Sequence, residues 1–170
     1  MNKRFEGRVW KLGDQVDTDV IYPGRYLPIL DPAEMARHAL EGVDPEFPEK
    51  LRPGDILVAG SNFGCGSSRE QAATCLKEAG VACVIAKSFA RIFFRNAINL
   101  GLPLVESADA PDRIQSGDRL VVDFDTGLLR TGGVQFRFSS LPPMVMEILD
   151  AGGLIAQVRA KLGRNGPPAG

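Results

Sequence analysis

Between residues 55 and 106 the chain reads DILVAG, SNFGCG, SSREQAATCLKEAG, VACVIA, then SFARIFFRNAINLG and LPLVE. Three short apolar runs are separated by two stretches with helical periodicity. In the first stretch Ala72, Leu76 and Ala79 share a face with Ala73 beside them, and Gly80 stands where a helix commonly stops. The second is opened by Ser88 and closed by Gly101. Apolar runs without alternation belong to strands buried on both faces. Strands that alternate with helices join a parallel sheet through crossovers. This order restricts the chain to an α/β fold.

The flanks are different. GRVWKLG reads as a short strand, and VDTDVIYPGRY continues extended until Pro23-Gly24 breaks it. DPAEMARHALEG predicts a helix with Asp31 as N-cap, Pro32 at the first helical position and Gly42 as its end. DPEFPEKLRPGD reads as a surface connection. DRLVVDFDTGLLRTGGVQFRF carries turns at Thr126-Gly127 and Gly132-Gly133 and predicts an antiparallel meander. Two short helices separated by Gly152-Gly153 follow. The expectation is one α/β domain over residues 1–163 with mixed parallel and antiparallel strands, and a flexible tail at 164–170.

The chemistry concentrates where the first of the three apolar runs meets its helix, at GSNFGCGSSRE, residues 60–70. Ser67 and Glu70 have capping-box spacing. A helix N-terminus offers unpaired N–H groups and partial positive charge. The glycines let a backbone approach closely, and Arg69 adds a guanidinium fork suited to a carboxylate or phosphate. One reading is an anion site; the other is a well-capped helix after a tight turn. A P-loop does not fit, because Gly-Lys-Ser/Thr is missing. A dinucleotide fingerprint fails at Arg69, and no acidic residue follows the second strand. A Ser-His-Asp arrangement would need His38, which the sequence assigns to a polar, solvated helix. Ser67 or Ser68 as a base would need electrostatic support, for which the helix terminus and Arg69 have the right sign. With no second acid and no pocket of its own, such a site would be half of one.

Composition narrows the partners. A net charge of −1 gives no field to attract nucleic acid or an anionic membrane. No apolar run reaches the length of a membrane span, and MNKRFEGRVW lacks a signal-peptide core, so a cytoplasmic location is expected. Cys65, Cys75 and Cys83 are too widely spaced for a compact zinc or iron–sulfur motif, and no metal site is expected in this chain.

VDTDVI, then GSNFGCGSSREQA about forty residues later, then AKSFARIFFRNAINLGLPLVE occur in order. Together they resemble the small subunits of the aconitase superfamily, more narrowly those of 3-isopropylmalate dehydratase and homoaconitase, over roughly residues 7 to 160. The resemblance implies a swivelling domain with a layered β/β/α arrangement. It implies reversible dehydration of a hydroxy-dicarboxylate, with 3-isopropylmalate ahead of homoaconitate and methylated malates. A large subunit would carry a [4Fe–4S] cluster, and this chain would bind no cofactor. Ser67 matches the catalytic base, Ser68 and Arg69 match residues that hold substrate carboxylate, and Thr18 and Asp19 match a supporting pair. Cys65 matches no cluster ligand.

In relatives the loop after the Thr-Asp pair touches the group that distinguishes substrates. Here it reads PGRYLPIL, with Pro28 where relatives often show arginine. Arg25 is the candidate replacement, and Leu27, Ile29 and Leu30 are candidates to line an alkyl pocket; otherwise they anchor the loop. Arg91, Arg95 and Asn99 fall on one helical face, as a solvated stripe or as a contact with the large subunit. The rival of another class is a stand-alone anion-binding module.

Overall fold

The computed structural model describes residues 1–165. Its strands are β1 (Arg4–Lys11), β2 (Ile56–Val58), β3 (Cys83–Ala86), β4 (Leu104–Glu106), β5 (Arg119–Asp123), β6 (Leu128–Thr131) and β7 (Val134–Arg137). Its helices are α1 (Thr18–Ile21), α2 (Pro32–Ala36), α3 (Phe47–Lys50), α4 (Glu70–Glu78), α5 (Arg91–Asn99), α6 (Ala110–Arg113), α7 (Pro143–Ala151) and α8 (Leu154–Asn165). One sheet takes the strands in the order β4-β3-β2-β1-β5-β6-β7. β1 to β4 are parallel, while β5 pairs antiparallel with β1 and leads into the β6–β7 meander. The turns at 126–127 and 132–133 join that meander as the glycines predict.

Both faces of β2 and β3 are buried, which is why those runs are continuously apolar. Leu57, Val84, Ala86 and Leu104 enter one core with Ala72, Ala73 and Leu76 of α4 and Phe93, Ala97 and Ile98 of α5. Alternate residues Ile56, Val58, Cys83, Ile85 and Val105 enter a second core with Leu120, Val122, Leu129 and Phe136 of the meander. The meander therefore forms a layer over the face opposite the helices, and the β/β/α layering follows. Asp55, buried just before β2, accepts hydrogen bonds from Arg8 (2.9 Å), Trp10 Nε1 (2.8 Å) and the Arg52 N–H (2.9 Å). Burial opposes its charge, but those donors outweigh burial and hold the carboxyl below its ordinary range.

Several local expectations change. VDTDVI does not stay extended. Asp17 accepts from the Val20 N–H at 2.9 Å and caps the short helix α1. Asp31 does cap α2 with Pro32 at its start, but that helix ends at Ala36 and not at Gly42. Residues 40–42 instead pair with α1, through Leu40 N–H to Ile21 O at 2.7 Å and Gly42 N–H to Val20 O at 3.0 Å. A side chain at 42 would run into the Val20 backbone, so glycine is needed for the close approach. The proline-rich connection contains α3, whose Phe47 is buried 5.2 Å from the Trp10 ring. α5 begins at Arg91 after Ala90, and Ser88 gives its hydroxyl to the preceding corner as the acceptor of the Asn62 N–H. α7 and α8 flank Gly152-Gly153 as expected. The expected tail begins within α8, and residues 166–170 lie outside the described residues. No helix among the described residues is long and apolar enough to cross a membrane.

Candidate active site

Strands β1, β2 and β3 are adjacent and parallel, so the segments leaving their carboxyl ends meet at one edge. Those segments carry Thr18-Asp19, Ser67-Ser68-Arg69 and the start of α5. This is the edge at which open α/β sheets bind ligands.

The glycine-serine corner is stitched to its neighbours through the backbone. On one side Gly64 N–H donates to Val16 O (2.8 Å) and Thr18 N–H to Cys65 O (2.9 Å). On the other, Phe63 N–H donates to Ser88 O (3.0 Å) and Ala90 N–H to Phe63 O (2.9 Å). Thr18, only 3 % exposed, donates its hydroxyl to Ser67 O at 2.8 Å. Ser67 and Ser68 are held from below and face solvent.

Gly64 has φ +82°, and an added Cβ there would collide with the Phe93 ring. Gly64→Ala is expected to cost at least about 2 kcal/mol, from overpacking and a left-handed backbone together. A denaturant titration comparing this variant with wild type measures the loss; an unchanged midpoint would contradict the contact.

The expected Ser67–Glu70 capping box does not form. α4 starts at Glu70, its N-cap position is Arg69, and no side chain caps it. The Ser67 carbonyl accepts from the Arg69 N–H at 2.8 Å. Ser67 and Ser68 are thereby left out of the cap and line a cleft of about 190 Å³. Arg69, Thr18, Gly64 and Gly66 border it on one side; Arg91, Ile92, Phe93 and Asn96 border it on the other.

Arg69 donates through Nη1 to Asp19 Oδ1 at 2.6 Å and to Tyr22 O at 3.2 Å. The Gly24 N–H also donates to Asp19 Oδ1, at 2.9 Å. The Arg69 hydrogen bond first, then that from Gly24, holds the Asp19 carboxyl below its usual range. The pairing is therefore complete above that range and is lost only as pH falls through the lowered value. Arg25 lies near enough to add to the positive field at Asp19, but its hydrogen bond goes elsewhere. Its Nη2 donates to Glu41 at 3.0 Å, and its guanidinium lies 4.7 Å over the Tyr26 ring. Leu27 sits on the outer loop and does not line the cleft.

His38 is not a solvated surface residue. It stacks on Tyr26 with ring centroids 3.7 Å apart, and Nδ1 lies 2.7 Å from Glu41. It belongs to the support of the 24–30 loop and stands apart from the serines. Cys75 and Cys83 are fully buried, and burial pushes both thiols up. Among the described residues, no three His, Cys, Asp or Glu side chains gather where they could hold a metal. Sequence reasoning missed Arg91, Ile92 and Asn96 as cleft residues. The available signal was topological: a helix following the next parallel strand must begin at the same edge.

The profile of the aconitase C-terminal domain matches residues 14–109, which span all three segments around the cleft. This chain belongs to the aconitase C-terminal domain family. Among the relatives of this aconitase-family chain, the 3-isopropylmalate dehydratase small subunit of Syntrophus aciditrophicus is 52% identical over 93% of this chain and 98% of its own. The isopropylmalate/citramalate isomerase small subunit of Methanocaldococcus jannaschii is 51% identical over 95% and 98%. A crystal structure of 3-isopropylmalate dehydratase from Methanocaldococcus jannaschii superposes with a TM-score of 0.91 at 44% identity, covering 95% of this chain and 97% of that one. Aconitase X of Thermococcus kodakaraensis, at 19% identity and a TM-score of 0.54, shares the fold.

Proposed function

We propose that this chain is the small subunit of 3-isopropylmalate dehydratase, a hydro-lyase that acts only with a large subunit. The observation that carries the reading is the presentation of Ser67, Ser68 and Arg69 in an open cleft at the carboxyl edge of the parallel strands. A small cleft whose serines face solvent suits a chain whose site is completed by a partner.

In this reading Ser67 is the base. Its Oγ takes the proton from the carbon next to a substrate carboxylate. The released electron pair forms the carbon–carbon double bond as hydroxide leaves the neighbouring carbon, a departure that the large subunit's cluster would assist as a Lewis acid. Rehydration in the other sense completes the isomerisation. The unpaired N–H groups at the start of α4 and the nearby Arg69 guanidinium favour negative charge on that oxygen once water is excluded. Ser68 and Arg69 hold carboxylate, while Thr18 and Asp19 fix the corner and the guanidinium. The three cysteines of this chain do not come together, so its residues do not suit an iron–sulfur cluster. The cluster implied by the family resemblance is assigned to the large subunit.

Arg25 and Leu27 belong to the loop proposed to meet the distinguishing group of the substrate. Glu41 offsets the Arg25 charge, and the apolar Leu27 and Leu30 are exposed on the same loop, which favours an alkyl group over an additional carboxylate. The methanogen relative that carries citramalate in its name supports a second reading, in which a methylated malate is also accepted. The test is anaerobic reconstitution with a large subunit and assay on 3-isopropylmalate, citramalate and homoaconitate. Preference for homoaconitate, or no turnover of any, would overturn the assignment.

A further inference from the structure

We propose that Arg91 is a second substrate-binding arginine, holding the carboxylate that Arg69 does not; this rests on the dehydratase reading above. Arg69 and Arg91 are the charged residues that line the cleft, one on each wall. The Arg69 charge is already offset by Asp19 at 2.6 Å. A dianionic substrate facing that pair alone would meet a nearly neutral surface. Arg91 supplies the remaining positive charge: among the described residues its side chain makes no ion pair and no hydrogen bond, and it faces solvent.

A second observation is independent of the cleft. Arg91 is the first residue of α5, a nine-residue helix whose N-cap, Ala90, makes no side-chain bond and whose first turn carries no acidic residue. A cation at the positive end of a helix dipole is locally unfavourable, and acidic residues normally occupy this turn. The conflict disappears when an anion docks there, because arginine, orphan N–H groups and dipole then act together. Local rules broken without compensation inside the free chain mark a place completed by a ligand.

Arg91→Gln and Arg91→Lys in the reconstituted enzyme test this, with Arg95→Gln as a control for charge on the same helix. Losing a charge-assisted hydrogen bond should raise KM for 3-isopropylmalate about tenfold or more in Arg91→Gln, with kcat changed less than about threefold. Arg91→Lys should fall between that variant and wild type. Arg95→Gln should match wild type, and the midpoint of a large-subunit titration should not move for any of them. An unchanged KM in Arg91→Gln overturns the inference. So does an equal rise in Arg95→Gln, or a KM change matched by weaker subunit association, which would assign Arg91 to the interface. Wild-type enzyme inactive on every hydroxy-dicarboxylate would instead remove the dehydratase reading itself.

Discussion

Ser67→Ala is expected to lower turnover of the reconstituted enzyme by about 10²–10⁴-fold, the range associated with loss of a positioned general base. Subunit association and folding should stay as in wild type. The reason lies in how the corner is built. Ser67 is held by its carbonyl, which accepts from Thr18 and from the Arg69 N–H. Its hydroxyl makes no hydrogen bond among the described residues and points into the cleft. Removing that one atom leaves every structural contact in place. Steady-state kinetics beside a subunit titration measures both quantities, and normal turnover would eliminate Ser67 as the base.

Arg69→Lys should raise the KM for 3-isopropylmalate by about tenfold or more, even though the formal charge is kept. The Arg69 side chain is 19 % exposed, and its guanidinium uses one nitrogen on both Asp19 and the Tyr22 carbonyl. Its other nitrogens remain for a ligand. An ammonium group reaching Asp19 cannot present a second, planar pair of donors. Asp19, 65 % exposed, would keep its charge and lose its best partner. A KM equal to that of wild type would mean that Arg69 serves the loop and not the substrate.

The two arginine experiments make different claims about one cleft. Arg69 is fixed by the fold before substrate arrives, so its loss should disturb the corner as well as binding. Among the described residues Arg91 has no hydrogen bond or ion pair, so its loss should register in binding alone.

The alternation from residue 55 to 106 and the glycines of the meander carried the fold class without coordinates, because burial on two faces and tight reversals leave direct marks on residue type. The corner was legible as anion-friendly for the same reason: glycines that permit close approach and an arginine fork beside a helix start are marks on residue type. Its local geometry was misread. Ser67-x-x-Glu70 satisfies the capping pattern, yet Thr18, almost fifty residues earlier in the chain, draws the Ser67 carbonyl and the helix starts later. VDTDVI looked extended because its β-branched residues favour strands, but Asp17 capped a helical turn. His38 looked solvated because the helix expected to carry it is polar; the Tyr26 ring that covers it comes from another segment.

What the sequence determined by itself was the kind of sheet, the serine-arginine chemistry and the likeness to one superfamily. Periodicity and short-range residue types encode those. Only the tertiary structure decided that Asp19 offsets Arg69, that Glu41 claims Arg25, and that Arg91 stands on the opposite wall of the cleft from Ser67. These are pairings between residues distant in the chain. They depend on which strands lie side by side and in which direction they run, and no local pattern of side chains specifies that.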